Sequence, residues 1–300
     1  MSHSHTHHHH RHSPVEGNRN RAFAIGIVLN TAFVVVEVVY GILADSMALL
    51  ADAGHNLSDV LGLVLAWGAA WLAGRQATKY RTYGMRKTTI LAALLNALIL
   101  MVAIGGIGWE SVRRLMDPAP VAGQTVIIVA LIGTAINAAT MMLFMAGQKE
   151  DLNIRGAFLH MAADAGVSLG VAVGGALILW TGWLWIDPIL SLVIVLVIFM
   201  GTWGLFRESL NLSLDGVPSG IDPDDVKAHL EGMTGVEGVH HLHIWAMSTT
   251  ENALTAHVVK PDPDDDDAFA QTIHDRMRRE FGIGHVTIQW ERDTRQCPDV

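Results

Sequence analysis

Six stretches of this chain, at 22–43, 47–73, 88–109, 125–146, 156–180 and 186–206, are mainly apolar. A helix needs roughly 20 such residues to cross a bilayer, and a lipid-exposed segment must satisfy its own backbone hydrogen bonds. The six therefore read as transmembrane helices. The first is not a cleavable signal peptide: it is too long, contains Glu37 and lacks a small-residue cleavage site before a polar mature chain. Composition agrees. Of 300 residues, 51% are hydrophobic and only 16% charged, against roughly 25% charged in a soluble domain. Mean hydropathy is +0.34. This balance excludes an ordinary cytosolic enzyme and a disordered, collagenous or disulfide-stapled chain. The single cysteine, Cys297, allows no intrachain disulfide.

Loop charges set the orientation. Arg19, Arg21, Arg75, Lys79, Arg81, Arg86, Lys87, Lys149, Arg155 and Arg207 all fall on one side if both termini are cytoplasmic; the opposite loops offer only Arg113 and Arg114. An integral membrane protein, of a cell inner membrane, with cytoplasmic N- and C-termini is expected.

After about residue 210 the chain changes character. From Ser213 to Val300 there are 17 acidic against 7 basic residues; the remainder carries 12 against 13. Nothing in that charge distribution suggests a nucleic-acid binder. Residues 222–232 read as a helix opened by an Asp-Pro pair, with Asp222 as cap and Pro223 in the first turn. Residues 236–247 and 252–260 read as strands, 268–281 as a helix and 285–291 as a strand. The order αββαβ suggests a small α+β domain, short on core. Three regions follow: a disordered His-rich tail over 1–20, a six-span domain over 21–208 and an α+β domain over 209–300. The opening MSHSHTHHHHRH holds seven histidines, the composition of an expression tag or of a native metal-collecting tail.

Ionisable residues deep in a span cost roughly 2.5–3.5 kcal/mol each on insertion scales and mark function. Span two contains His55-Asn-Leu-Ser-Asp59; span five contains His160-Met-Ala-Ala-Asp164. Both are HxxxD. A spacing of four places the pair about 40° apart on one helix face, one turn along. Two such faces turned together offer two imidazoles and two carboxylates, a set that closes a tetrahedron around zinc, whereas magnesium or calcium wants oxygen alone. Ser58 and Gly62 on span two, with Ala157 and Ala163 on span five, permit close approach. The competing reading, two intrahelical hydrogen bonds, does not explain why the motif occurs in two spans. An intramembrane zinc protease would need HExxH, and a serine hydrolase GxSxG; the sequence has neither.

The segment ADSMALLADAGHNLSD, the second HxxxD, VHHLHIW, LTAHVV and HVTIQWE together resemble the cation diffusion facilitator (CDF) family of zinc transporters, over about residues 21–291. The resemblance implies a homodimer, a six-helix transmembrane domain and a cytoplasmic ferredoxin-like domain. It implies zinc export from the cytosol driven by proton entry, with His55, Asp59, His160 and Asp164 as the transport site and cadmium or another divalent metal also carried. It implies no enzymatic activity. By the same likeness His240, His257 and Glu291 are candidates for a regulatory zinc site, with His285 and Cys297 as further ligands. His241 and His243 alternate with His240, which puts them on the opposite strand face. The stretch YRTYGMRK at 80–87, where some relatives carry a second metal site, has no His or Asp, so no metal is expected there; its basic residues face cytoplasm or lipid phosphate. A membrane-embedded zinc sensor or scaffold without net transport is the alternative.

Other polar residues receive bland readings. Glu37 carries protons or bonds a neighbouring helix. Asn30, Asn96 and Asn137 bridge helices. His229 and His274 are solvated helix residues, and the acidic run 262–267 is a solvated turn.

Overall fold

A computed structural model describes residues 14–145, 152–263 and 265–293. The histidine tail through residue 13 and Cys297 lie outside the described residues. Six long helices come first: α1 (Pro14–Leu43), α2 (Met47–Ala73), α3 (Thr88–Met116), α4 (Gly123–Phe144), α5 (Leu152–Thr181) and α6 (Ile186–Ser213). Then follow α7 (Pro223–Glu231), β1 (Gly238–Ala246), β2 (Asn252–Val259), α8 (Asp266–Glu280) and β3 (Ile283–Glu291). Helices α2 to α6 are each long and apolar enough to cross a membrane, and α1 adds a shorter apolar stretch, Val28–Leu43. Their outward faces carry large apolar side chains such as Trp67, Val102 and Trp180, the surface a lipid solvent requires.

The chain divides into two compact units, one holding the chain to Val60 with Leu100–Phe199, the other Leu61–Ile99 with the chain from Met200. The core of the first joins Phe33, Leu49, Leu100, Ile104, Val126, Ala130, Val171 and Ile194. Helices α4 and α5 run along each other. Their contact rests on two glycines: a Cβ on Gly123 would sit 3.1 Å from the Gly175 carbonyl oxygen, and one on Gly175 would sit 3.1 Å from that of Gly123. Only small residues let backbones come this close. Helix α3 runs past the expected 109 to Met116 because its polar last turns are tied down. Arg114 Nη2 lies 2.6 Å from Asp45 Oδ1, and Arg113 and Arg114 both reach Glu110. Arg114, an exception to the loop-charge pattern, is thereby neutralised.

In the second unit, Asp222 accepts a hydrogen bond from the Asp224 amide at 2.9 Å and caps α7, with Pro223 behind it. The sheet order is β1-β2-β3, with β1 and β2 antiparallel and β2 and β3 parallel across α8. Val226, Leu230, Val239, Ile244, Leu254, Val258, Ile273 and Met277 form the core between the helices and one sheet face. The order is the expected αββαβ. The basic 80–87 stretch is engaged: Arg86 pairs with Glu251 at 2.8 Å and Lys87 with Asp215 at 2.6 Å. The acidic run is not merely solvated, since Asp266 pairs with Lys260 at 3.1 Å and with Arg292.

Candidate metal centres

The helix carrying the first HxxxD starts from a fixed point. The first amides of any α-helix lack intrahelical acceptors. Here the Asp187 carboxylate, from the first turn of α6, supplies one: Met47 N donates to Oδ2 at 2.7 Å and Ser46 Oγ to Oδ1 at 2.5 Å. Ser46 Oγ in turn accepts from Leu49 N at 3.2 Å. A carboxylate at a helix N-terminus also meets the positive end of the dipole.

From that anchor, α2 and α5 bring the four candidates together. His55 Nε2 lies 3.3 Å from Asp164 Oδ1, and His160 Nε2 lies 3.2 Å from Asp59 Oδ2 and 3.6 Å from Asp164 Oδ2. The two imidazole centroids are 6.0 Å apart. His55, Asp59 and Asp164 present ligand atoms all within 4.8 Å of one another. Asp164 is fully buried, and although both its oxygens are near imidazole nitrogens, neither makes a hydrogen bond of acceptable geometry among the described residues. A carboxylate this buried ordinarily finds hydrogen-bond partners, and a cation held with the two imidazoles would satisfy it. Exposure rises from Asp164 at 1% through His55 at 24% to His160 at 43%.

Behind this set lies a polar layer, of which Glu37 was expected from the sequence and Asp52 was not. Asp52, one turn before His55, is fully buried and its Oδ2 accepts from Ser168 Oγ of α5 at 2.7 Å. Glu37 of α1, also fully buried, accepts from Asn56 Nδ2 at 2.8 Å and so bonds the neighbouring α2. Asp52 was in view as an ionisable residue within a span, one turn from a ligand; that signal was sufficient to find it. Ser58 is buried, but Gly62 faces Asn96, whose Nδ2 would be 3.1 Å from an added Cβ. Asn30 reaches Met161 Sδ at 4.0 Å, bridging α1 and α5. Asn137 is not a bridge: both its amide atoms are buried without a hydrogen bond among the described residues.

A second cluster forms on the sheet face away from α7 and α8. His240 and His257 are directly paired across β1 and β2. His257 Nδ1 lies 2.8 Å from Glu291 Oε1, and His240 Nε2 lies 3.1 Å from Glu291 Oε2. The last two atoms are buried and, though in contact, make no hydrogen bond of acceptable geometry among the described residues, and the three residues present ligand atoms within 4.8 Å. These donors fit a zinc ion in type and spacing. His285 does not join them: it sits across from Ala253, six residues along β3 and about 20 Å away at strand rise, with its ring 5.7 Å from Tyr83.

Strict alternation of β1 fails. Between the pairs His240–His257 and His243–Thr255, two residues of β1 oppose one of β2. This is a β-bulge, with His241 at φ 48°. The bulge returns His241 and His243 to the face of His240, correcting the expectation of opposite faces. The His241 ring lies 5.3 Å from that of His240 and 5.0 Å from that of His257. His229 is not solvated either: Nδ1 pairs with Glu280 at 3.2 Å and the ring stands edge-on to Phe281. His274 is exposed and contacts the Gly284 carbonyl oxygen at 3.1 Å.

Residues 23–212 match the family model described as the cation efflux transmembrane domain, and residues 218–293 that described as the cation efflux protein cytoplasmic domain. The metal cation efflux system protein CzcD of Cupriavidus metallidurans is 36% identical, over 92% of this chain and 87% of its own. The cadmium, cobalt and zinc/H(+)-K(+) antiporter of Bacillus subtilis is 32% identical, over 93% and 91%. The zinc transporter ZitB of Escherichia coli is 36% identical, over 100% and 95%.

Proposed function

The chain belongs to the cation efflux family, whose members are membrane transporters and not enzymes, and from that premise we propose that it exports zinc from the cytosol by proton antiport with alternating access. Cadmium or another divalent metal is carried as well. The observation that carries this reading is the convergence of His55, Asp59, His160 and Asp164 from two spans on one point. The proposed boundaries are a transport domain over 21–208 and a cytoplasmic ferredoxin-like domain over 209–300, in a homodimer. Both termini are cytoplasmic, in a cell inner membrane.

Zinc binds deprotonated ligands, so loading and proton release are coupled. With cytoplasmic termini, His160 and Asp59 lie toward the cytosolic ends of α5 and α2. They are also the more exposed pair, at 43% and 32%, which suits loading from the cytosol. Zinc enters as substrate, exchanges its water for the two imidazoles and two carboxylates, and is released on the far side. There the imidazoles take up protons, since histidine is both a zinc ligand and a proton acceptor. The protonated site returns inward. In the cytoplasmic domain, His240, His257 and Glu291 hold a regulatory zinc that favours one transport state.

Proteoliposomes containing a zinc-sensitive dye and an imposed pH step test the reading. Wild type should move zinc, and a pH gradient should alter the rate. Asp164→Ala and His160→Ala should each abolish flux while dimer assembly survives. Full transport in both variants would sink the transport site; flux indifferent to the pH step would sink antiport alone. Zinc binding without any flux would favour a sensor.

A further inference from the structure

We propose that His241 is the fourth ligand of the cytoplasmic-domain metal site, closing a set of three imidazoles and one carboxylate within a single chain. This rests on the reading of His240, His257 and Glu291 as metal ligands. Three observations carry it. First, the bulge in β1 places two consecutive histidines on one sheet face, which a regular strand cannot do. The backbone there is left-handed, φ 48°, a conformation that favours glycine. Leu242, the next residue, still packs on the core, so the extra residue of the bulge is spent on bringing His241 outward.

Second, the ring spacing fits one ion. A zinc–nitrogen bond of 2.0–2.1 Å places a ring centroid about 3.2 Å from the metal, and tetrahedral directions then separate centroids by about 5.2 Å. The three centroid distances here are 5.3 Å (His240–His241), 5.3 Å (His240–His257) and 5.0 Å (His241–His257). Third, the remaining corner is filled. Glu291 is 2% exposed and stands within 3.1 Å of both His240 and His257, while its Oε2 and His240 Nε2 make no hydrogen bond of acceptable geometry among the described residues. Ligand atoms of these three already lie within 4.8 Å of one another; His241 joins by turning its ring. Four protein ligands leave no open position, the pattern of a site that retains its ion rather than one that acts on a substrate.

The test uses the full chain in detergent, with the seven tail histidines and the transport pair His160 and Asp164 replaced by alanine so that only this site binds. Zinc affinity is read by competition with a chromophoric chelator, and the number of bound imidazoles by zinc X-ray absorption. The parent should show three imidazoles. His241→Gly, which the left-handed backbone accepts, should leave the zinc-free melting temperature at or above the parent's. It should lower affinity by about tenfold or more, the least a lost ligand should cost given the effect of losing outer-shell partners, and reduce the imidazoles to two. His243→Ala should change neither. Unchanged affinity and three imidazoles in His241→Gly would overturn the proposal, as would an equal loss in His243→Ala. If His240→Ala also left affinity unchanged, the metal site itself would fall; if it abolished binding while His241→Gly did not, only the fourth ligand would.

Discussion

Asp187 and Met47, 140 residues apart in sequence, are joined by a 2.7 Å hydrogen bond from amide to carboxylate that starts the helix bearing His55 and Asp59. Both proposed zinc ligands on α2 are thus held in place by a residue of α6. Asp187→Ala should destabilise the protein by about 2 kcal/mol or more, from cap loss and stranded buried donors at Ser46 and Met47. Asp187→Asn, which keeps one acceptor, should recover part of it. Thermal unfolding in detergent measures the ranking, and equal stability of wild type and Asp187→Ala would refute the capping role.

Ser168 donates to Asp52 at 2.7 Å, tying α5 to α2 one turn from the ligands. Ser168→Ala removes the hydroxyl that donates to this buried carboxylate. The expected cost is about 1–3 kcal/mol in stability. Zinc flux in vesicles should fall in parallel, without the complete loss expected of Asp164→Ala. A fully stable, fully active Ser168→Ala protein would show that this tie does not position the site.

In the C-terminal domain the Arg292 guanidinium, and then Lys260, holds the Asp266 carboxyl below its ordinary pKa. A depressed folded pKa gives stability that is present above the ordinary value, about 3.9, and lost as pH falls through the folded one. Arg292→Ala should therefore lower the melting temperature at pH 7, and the gap from wild type should narrow as the solution is acidified below about 4. A gap that stays constant to pH 2 would contradict this.

Much of the site was legible because ionisable residues in apolar spans stand out against their surroundings. The repeated HxxxD named all four residues that α2 and α5 bring together, and helical periodicity put each pair on one face. The C-terminal domain was legible in element order, from an Asp-Pro cap and alternating strands. What was not legible depended on register and on distant partners. Alternation predicts strand faces only while the ladder is regular, so the bulge at His241 reversed the expectation for two histidines. His285 shares the face of Glu291 but lies at the other end of the strand, which no spacing argument separates from proximity.

The sequence alone determined which segments enter the bilayer, since apolar length decides insertion, and which residues carry donor chemistry there. Tertiary structure decided which donors meet. The Asp187 cap, the Asp52–Ser168 tie and the His240–His241–His257 cluster each join residues through packing or strand pairing. Such contacts are fixed by how whole elements fit together, and local propensity carries no record of them.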